Sequence, residues 1–262
     1  MPRYLDQLPQ DLPALLLLVL VGAIAAGINA VAGGGSLISY PILVGMGIPK
    51  IIANATNSVA LWPGSLAGAI GFLNQLANTK RYLKLLLLPT ILGSALGAWL
   101  LVLSTERIFA ILVPILILFA SLLLAGQRHI RAWCAKHQRE MGPVGAVLIQ
   151  FLVAVYGGYF GAGMGIMMLA AFVLYMDGTI HELNAVKNWL GLVINFAASV
   201  LFLAQGLVSP APAAALMVGC IIGGYASSKI SQRVNPDKLR VAIAGYGFLM
   251  AAYFAWNAFA SS

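Results

Sequence analysis

Apolar runs long enough to cross a lipid bilayer recur from Leu12 to Phe259 with only short polar breaks, and no other feature restricts the fold so severely. About 20 helical residues span the ~30 Å hydrocarbon core of a membrane. Runs such as Leu12–Ala32 and Leu83–Leu103 are apolar on every face. A β-barrel needs short alternating segments with a polar lumen side, so these runs predict helices. Charged residues make up 8% of the chain and hydrophobic residues 61%, whereas an ordinary soluble domain is about a quarter charged. No soluble surface can be assembled from that mixture. The expected fold class is an all-α polytopic membrane protein, one integral membrane domain throughout.

The net charge of +8 raises the question of nucleic acid, but the basic residues stand between apolar runs, where the positive-inside rule expects them. They are read as setting orientation; the expected partners are a lipid bilayer and a small solute, not nucleic acid. Cys134, beside a basic loop, and Cys220, inside an apolar run, show neither metal-ligand spacing nor a disulfide framework and are read as structural. Leu15–Ala26 looks like the apolar core of a secretory signal, but Asp6 and Asp11 outweigh Arg3 in its flank. The segment is expected to be retained as the first helix.

Sliding the chain on itself by 130 residues aligns two apolar blocks without a gap. Gly27 falls on Gly157, and Ala32, Gly33, Gly34, Gly35 fall on Ala162, Gly163, Met164, Gly165. Met46 meets Met176, Asn54 and Ala55 meet Asn184 and Ala185, and Phe72, Leu73 and Gln75 meet Phe202, Leu203 and Gln205. After a small shift of register, Gly93 and Gly97 correspond to Gly219 and Gly223. The chain therefore reads as two homologous halves: residues 1–126, a cytoplasmic linker over 127–141, and residues 142–262. Each half has a glycine-interrupted apolar stretch, Leu12–Ile48 or Pro143–Met176. Three plain helices follow each: roughly Ala53–Ala77, Leu83–Leu103 and Ile108–Ala125, then Leu183–Leu207, Pro212–Ile230 and Leu239–Phe259.

If each interrupted stretch crosses once, the chain has eight crossings and parallel halves, and the Lys80–Lys84 and Lys229–Arg240 loops lie on opposite sides of the membrane. If each crosses twice, the halves are inverted repeats of five helices. Lys80, Arg81, Lys84, Arg128, Arg131, Lys136, Arg139, Lys229, Arg233, Lys238 and Arg240 then all face the cytoplasm, leaving only Arg3, Lys50 and Arg107 outside. That asymmetry favours inverted repeats with both termini outside. Ser36–Ile48 is short for a full crossing, so these pieces are expected to be short or tilted.

Paired glycine breaks at matching places in inverted halves point to a carrier's binding site. Here they are Gly33, Gly34, Gly35 and Ser36 in the first half, and Gly161, Ala162, Gly163, Met164 and Gly165 in the second. Helices restarting at Ser36 and Ile166 would offer free amides and positive dipole ends, which bind anions. Scattered glycines such as Gly93, Gly97 and Gly191 are read as packing residues. Next comes a polar run where hydrocarbon is expected. Asn54, Thr56, Asn57 and Ser58 align with a second run in which Asn184, Lys187, Asn188 and Asn195 share a helix face. A mid-helix lysine in lipid costs roughly 2.5–3.5 kcal/mol on insertion scales, so its retention suggests use as an anion's counter-charge; the other reading is a side chain that snorkels to the interface. Asp177, His181 and Glu182 form a titratable group near a helix end, compatible with proton coupling or with a helix cap. No catalytic set, metal motif, phosphate-binding loop or nucleotide fingerprint occurs, so neither an enzyme nor a cofactor is expected.

At these residues the chain resembles the sulfite exporter TauE/SafE family over nearly its whole length. The resemblance rests on Asn29, Val31, Ala32, Gly33, Gly34, Gly35, Ser36 and Leu37, and on Thr56, Asn57 and Ser58. It continues through Gly157, Gly158 and Phe160 to Gly165, then Ala185, Lys187 and Asn195, and the closing Pro236, Lys238, Leu239 and Arg240. It implies a transporter of small sulfur-containing anions, such as sulfite, sulfoacetate, thiosulfate or related organosulfonates, usually outward across a bacterial inner membrane. The expected protein is a secondary carrier working by alternating access, with a homodimer as one admissible assembly. A passive anion channel and a non-transporting accessory subunit are the alternatives.

Overall fold

The computed structural model describes residues 11–31, 34–70, 73–76, 78–136, 141–230 and 236–260. Among the described residues all regular structure is helical and no strand occurs. The helices are α1 (Leu12–Val31), α2 (Ser36–Gly45), α3 (Lys50–Ile70), α4 (Lys80–Leu103), α5 (Glu106–Lys136), α6 (Pro143–Tyr159), α7 (Met164–Tyr175), α8 (Ile180–Ala204), α9 (Pro210–Ile230) and α10 (Pro236–Ala260). A single 3-10 turn, Leu73–Leu76, lies between α3 and α4. Each glycine-broken run is thus a pair of helices, α1 with α2 and α6 with α7.

By length and composition, stretches within α1, α4, α5, α8 and α10 can each cross a membrane, while α2, α6, α7 and the apolar part of α9 are shorter. Large apolar side chains such as Leu16, Leu20, Leu88, Leu92 and Leu249 face outward. Patches of that extent suit a lipid solvent rather than water. The chain is an all-α polytopic membrane protein.

Two boundaries differ from the sequence reading. The stretch read as a linker from 127 is helical as far as Lys136; it holds no proline or glycine to stop the helix, and a basic residue in the last turn suits its negative dipole end. Helix α3 ends at Ile70, immediately before Gly71, a residue poorly able to propagate a helix.

The packing follows the duplication. Helix α1 lies along α9, as α6 lies along α4; α3 packs on α9, as α8 packs on α4; α3 meets α8, and α5 meets α10. Exchanging the halves carries each pair into another or into itself. Glycine makes the tightest of these contacts. A Cβ on Gly219 would stand 2.0 Å from the Val19 carbonyl oxygen, and one on Gly97 2.0 Å from that of Val155. Small residues at such crossings let helix backbones touch, the main source of helix association where lipid is as apolar as leucine. Gly93 and Gly97 are thus packing residues, as the sequence reading has them.

Candidate functional site

Helices α1, α3, α7, α8 and α9 line a partly open cavity of about 40 Å³. One water needs roughly 10–15 Å³ measured this way, so the space suits a few waters or one compact ion, not a nucleotide or a sugar. Helix α8 brings Lys187, Asn188, Gly191 and Asn195 to its wall, residues repeating at three- and four-residue spacing on one face. Helix α7 brings Met164, Gly165 and Met168. Helix α3 adds Leu61, Gly64 and Ser65, α9 adds Gly224, and α1 adds Ala26, Asn29 and Ala30.

Lys187 is 5% exposed. Among the described residues no carboxylate lines the cavity, and Lys187 is the only residue in its wall with a formal charge. The lysine faces the protein interior, which removes the snorkelling alternative. Met164 and Gly165 form the first turn of α7, where the helix dipole is positive, and the Met164 and Ile166 amides there donate to the Gly161 and Gly163 carbonyls at 3.2 and 3.0 Å. The backbone reaches this turn through Gly161 and Gly163, both at φ +78°, a left-handed conformation that glycine adopts without strain. Tyr156 fixes the break by donating from its hydroxyl to the Ala162 carbonyl at 2.6 Å.

The first half uses its matching residues differently. Asn57, aligned with Lys187, donates through Nδ2 to Ser36 Oγ at 3.2 Å and accepts at Oδ1 from Ser39 Oγ at 2.6 Å. Asn54 Nδ2 donates to the Tyr159 carbonyl at 2.9 Å, tying α3 to the end of α6. Thr56 Oγ1 accepts from the Ser209 amide at 3.0 Å, ahead of α9, and Ser58 Oγ donates to the Asn54 carbonyl. Gly35 sits in helical conformation where a Cβ would stand 2.1 Å from the Ala25 carbonyl oxygen. Gly34 packs near Leu124 and Ile243, and Gly33 lies outside the described residues. Among the described residues, the polar side chains beside the first break bond to one another and to the backbone. Of the residues singled out in the sequence, the structure brings Met164, Gly165, Lys187, Asn188 and Asn195 to the cavity. Gly34, Gly35, Ser36, Asn54, Thr56, Asn57, Ser58, Gly161, Ala162 and Gly163 stand outside its wall. Gly191, read as packing, belongs to the wall.

This division has a measurable consequence. Asn57→Ala leaves the Ser36 and Ser39 hydroxyls without their partner and is expected to lower stability by about 1–3 kcal/mol. Asn188→Ala, facing the cavity, is expected to leave stability nearly unchanged while weakening transport. Thermal unfolding in detergent beside uptake in liposomes distinguishes the two; equal loss of stability in both variants would count against the division.

Asp177, His181 and Glu182 are placed away from the cavity wall. Glu182 completes a capping box on α8, accepting from the Thr179 amide at 2.7 Å, and also accepts from Asn78 Nδ2 at 2.8 Å. Asp177 pairs with Arg81 at 3.3 Å, its amide donates to the Tyr82 hydroxyl, and His181 is exposed. These bonds clasp the start of α4 to the α7–α8 connection, one half to the other.

Several wall residues escaped the sequence reading as site residues, among them Ala26, Asn29 and Ala30, which α1 contributes. Under the same offset of 130 they fall on Tyr156, Tyr159 and Phe160. There the rings pack against Phe119, Phe109 and Tyr40, with centroids 5.7, 5.8 and 5.4 Å apart. Small residues facing large ones across an otherwise matched repeat were the available signal.

Outward apolar faces around a cavity that holds a buried lysine suit a multi-pass membrane transporter. The chain belongs to the sulfite exporter TauE/SafE family, whose pattern matches residues 18–254. It is similar to a "Probable membrane transporter protein" of Haemophilus influenzae, 29% identical over 243 residues that cover 93% of this chain and 95% of the relative. It is also similar to the "Probable membrane transporter protein YfcA" of Escherichia coli K12, 27% identical over 242 residues, 92% and 89% of the two chains. No solved structure matches the chain.

Proposed function

We propose that the protein is a secondary carrier of small sulfur-containing oxyanions, sulfite or compact organosulfonates, that exports them across the bacterial inner membrane by alternating access. The observation that carries this reading is the buried, carboxylate-free setting of Lys187 beside the restart of α7. An anion 4 Å from an ammonium gains about 4 kcal/mol at an effective dielectric of 20, against about 1 kcal/mol in bulk water. A cation would be repelled, and a neutral solute would leave the lysine without a counter-charge. The carboxamides of Asn188 and Asn195 supply short donors suited to the oxygens of one head group, and the first turn of α7 adds its positive dipole end.

Helix direction supports inverted halves, and the Lys/Arg asymmetry favours periplasmic termini with residues 127–141 cytoplasmic. Gly219 meets Val19 and Gly223 meets Ala23, so α1 and α9 run the same way. Thr56 meets Ser209 and Gly64 meets Cys220, so α3 also runs with α9. If α1 and α2 made a single crossing, α3 would oppose α1; the parallel run favours two crossings per broken stretch. Helices α1 and α6 then point in opposite senses, as inverted repeats require.

Purified protein in liposomes is expected to show saturable uptake of radiolabelled sulfite that internal unlabelled sulfite accelerates. Unitary currents without such trans-stimulation would replace the carrier with a channel, and no anion movement at all would favour an accessory subunit. A reporter fused after Ser262 that works only in the cytoplasm would overturn the inverted arrangement.

A further inference from the structure

Lys187, Asn188 and Asn195 account for one side of the cavity but not for the wall contributed by α1. Ala26, Asn29 and Ala30 lie three and four residues apart, so they share one helix face, and that face is part of the cavity lining. The second half holds Tyr156, Tyr159 and Phe160 at the matched positions, packed into aromatic contacts. The scaffold therefore accepts large side chains at these places. In the first half it carries two methyl groups and a carboxamide, and the space is left open.

We infer that Asn29 is a specificity-determining residue for the transported anion. Its carboxamide donates an N–H to one oxygen of the anion, while Ala26 and Ala30 keep the room that the head group occupies. This rests on the anion-carrier reading above and adds to it the side chain that selects among anions. The choice of residue is informative. A carboxamide offers two donors and no charge. An aspartate in the same wall would counter the charge of Lys187, and a second lysine would hold the anion too firmly for release. The small neighbours set a size limit, so sulfite and the head of a short sulfonate fit, whereas a bulky group beside the sulfur meets α1.

The test is sulfite uptake into liposomes, with competition by sulfate and by sulfonates of increasing bulk. Asn29→Ala is expected to raise the KM for sulfite roughly tenfold to a hundredfold with the protein still folded. Asn29→Asp is expected to abolish uptake by pairing with Lys187. Ala30→Phe, copying the residue type at position 160, is expected to exclude the sulfonates before sulfite; if that variant does not fold, Ala30→Val asks the same question with a smaller insertion. A change in the order of competitors is a readout that a merely structural residue would not move. If Lys187→Ala weakens uptake while Asn29→Ala leaves both KM and competitor order unchanged, the inference about α1 falls and the carrier reading stands. If the intact protein shows no saturable uptake of these anions, the carrier reading falls and the inference with it; if Lys187→Ala and Asn29→Ala both transport like the intact protein, this cavity is not the transport site and the inference falls while the carrier reading stands.

Discussion

Lys187→Met is expected to lower anion transport by a factor on the order of 10²–10³ and, at the same time, to raise the thermal midpoint of the protein. The first effect follows from losing about 4 kcal/mol of attraction between the ammonium and an anion in a site of reduced dielectric. The second follows from burial. The side chain is 5% exposed, and among the described residues no carboxylate lines its cavity. Replacing a buried charge in such a setting with an apolar chain of similar length removes a desolvation penalty of several kcal/mol. A residue kept for stability gives the opposite pattern, with activity and midpoint falling together. Lys187→Arg retains the charge but places a larger planar group in a cavity of about 40 Å³, so partial activity with altered anion preference is expected. Uptake kinetics and a melting curve on the same purified variants suffice. Unchanged KM and maximal rate in Lys187→Met would remove the lysine from the transport site.

The helical class was legible because segment length and apolarity act locally: Leu83–Leu103 has no other stable form in lipid, and it lies within α4. The duplication was legible for the same reason, since Gly93 and Gly97 recur as Gly219 and Gly223 and perform the same packing. The site was legible only in part, because a repeat shows which positions match and not which copy keeps its space open. Asn57 and Lys187 are aligned, yet one ties α2 to α3 and the other lines a cavity. The difference arises at a distance in sequence, where α1 has Ala26, Asn29 and Ala30 and α6 has three aromatic residues. Gly191, read as a packing residue, also lines the cavity, and its Cβ position stands 3.7 and 3.8 Å from Met168 and Met164, ordinary packing distances.

Backbone-facing glycines are expected to produce the largest losses of folded protein. A Cβ on Gly223 would lie 2.0 Å from the Ala23 carbonyl oxygen, and one on Gly97 2.0 Å from the Val155 oxygen and 2.8 Å from the Tyr159 nitrogen. Neither neighbour is the end of a flexible chain, so the helices must separate. Gly97→Ala and Gly223→Ala are each expected to cost about 3 kcal/mol or more, beyond the usual range for one added methyl group. Gly27→Ala is the control, because nothing lies within 4 Å of its Cβ position and alanine is the better helix former by about 1 kcal/mol. The fraction of monodisperse protein and the unfolding midpoint in detergent report all three. Because α1 with α9 and α4 with α6 are matched pairs, the damage at positions 97 and 223 should be similar; a severe effect at one and none at the other would break that equivalence. The Gly223 contact also bears on transport. Ala23 lies one turn before Ala26 on α1, so parting α1 from α9 moves the wall that carries Asn29, and any Gly223→Ala protein that does fold is expected to bind anions poorly with Lys187 intact.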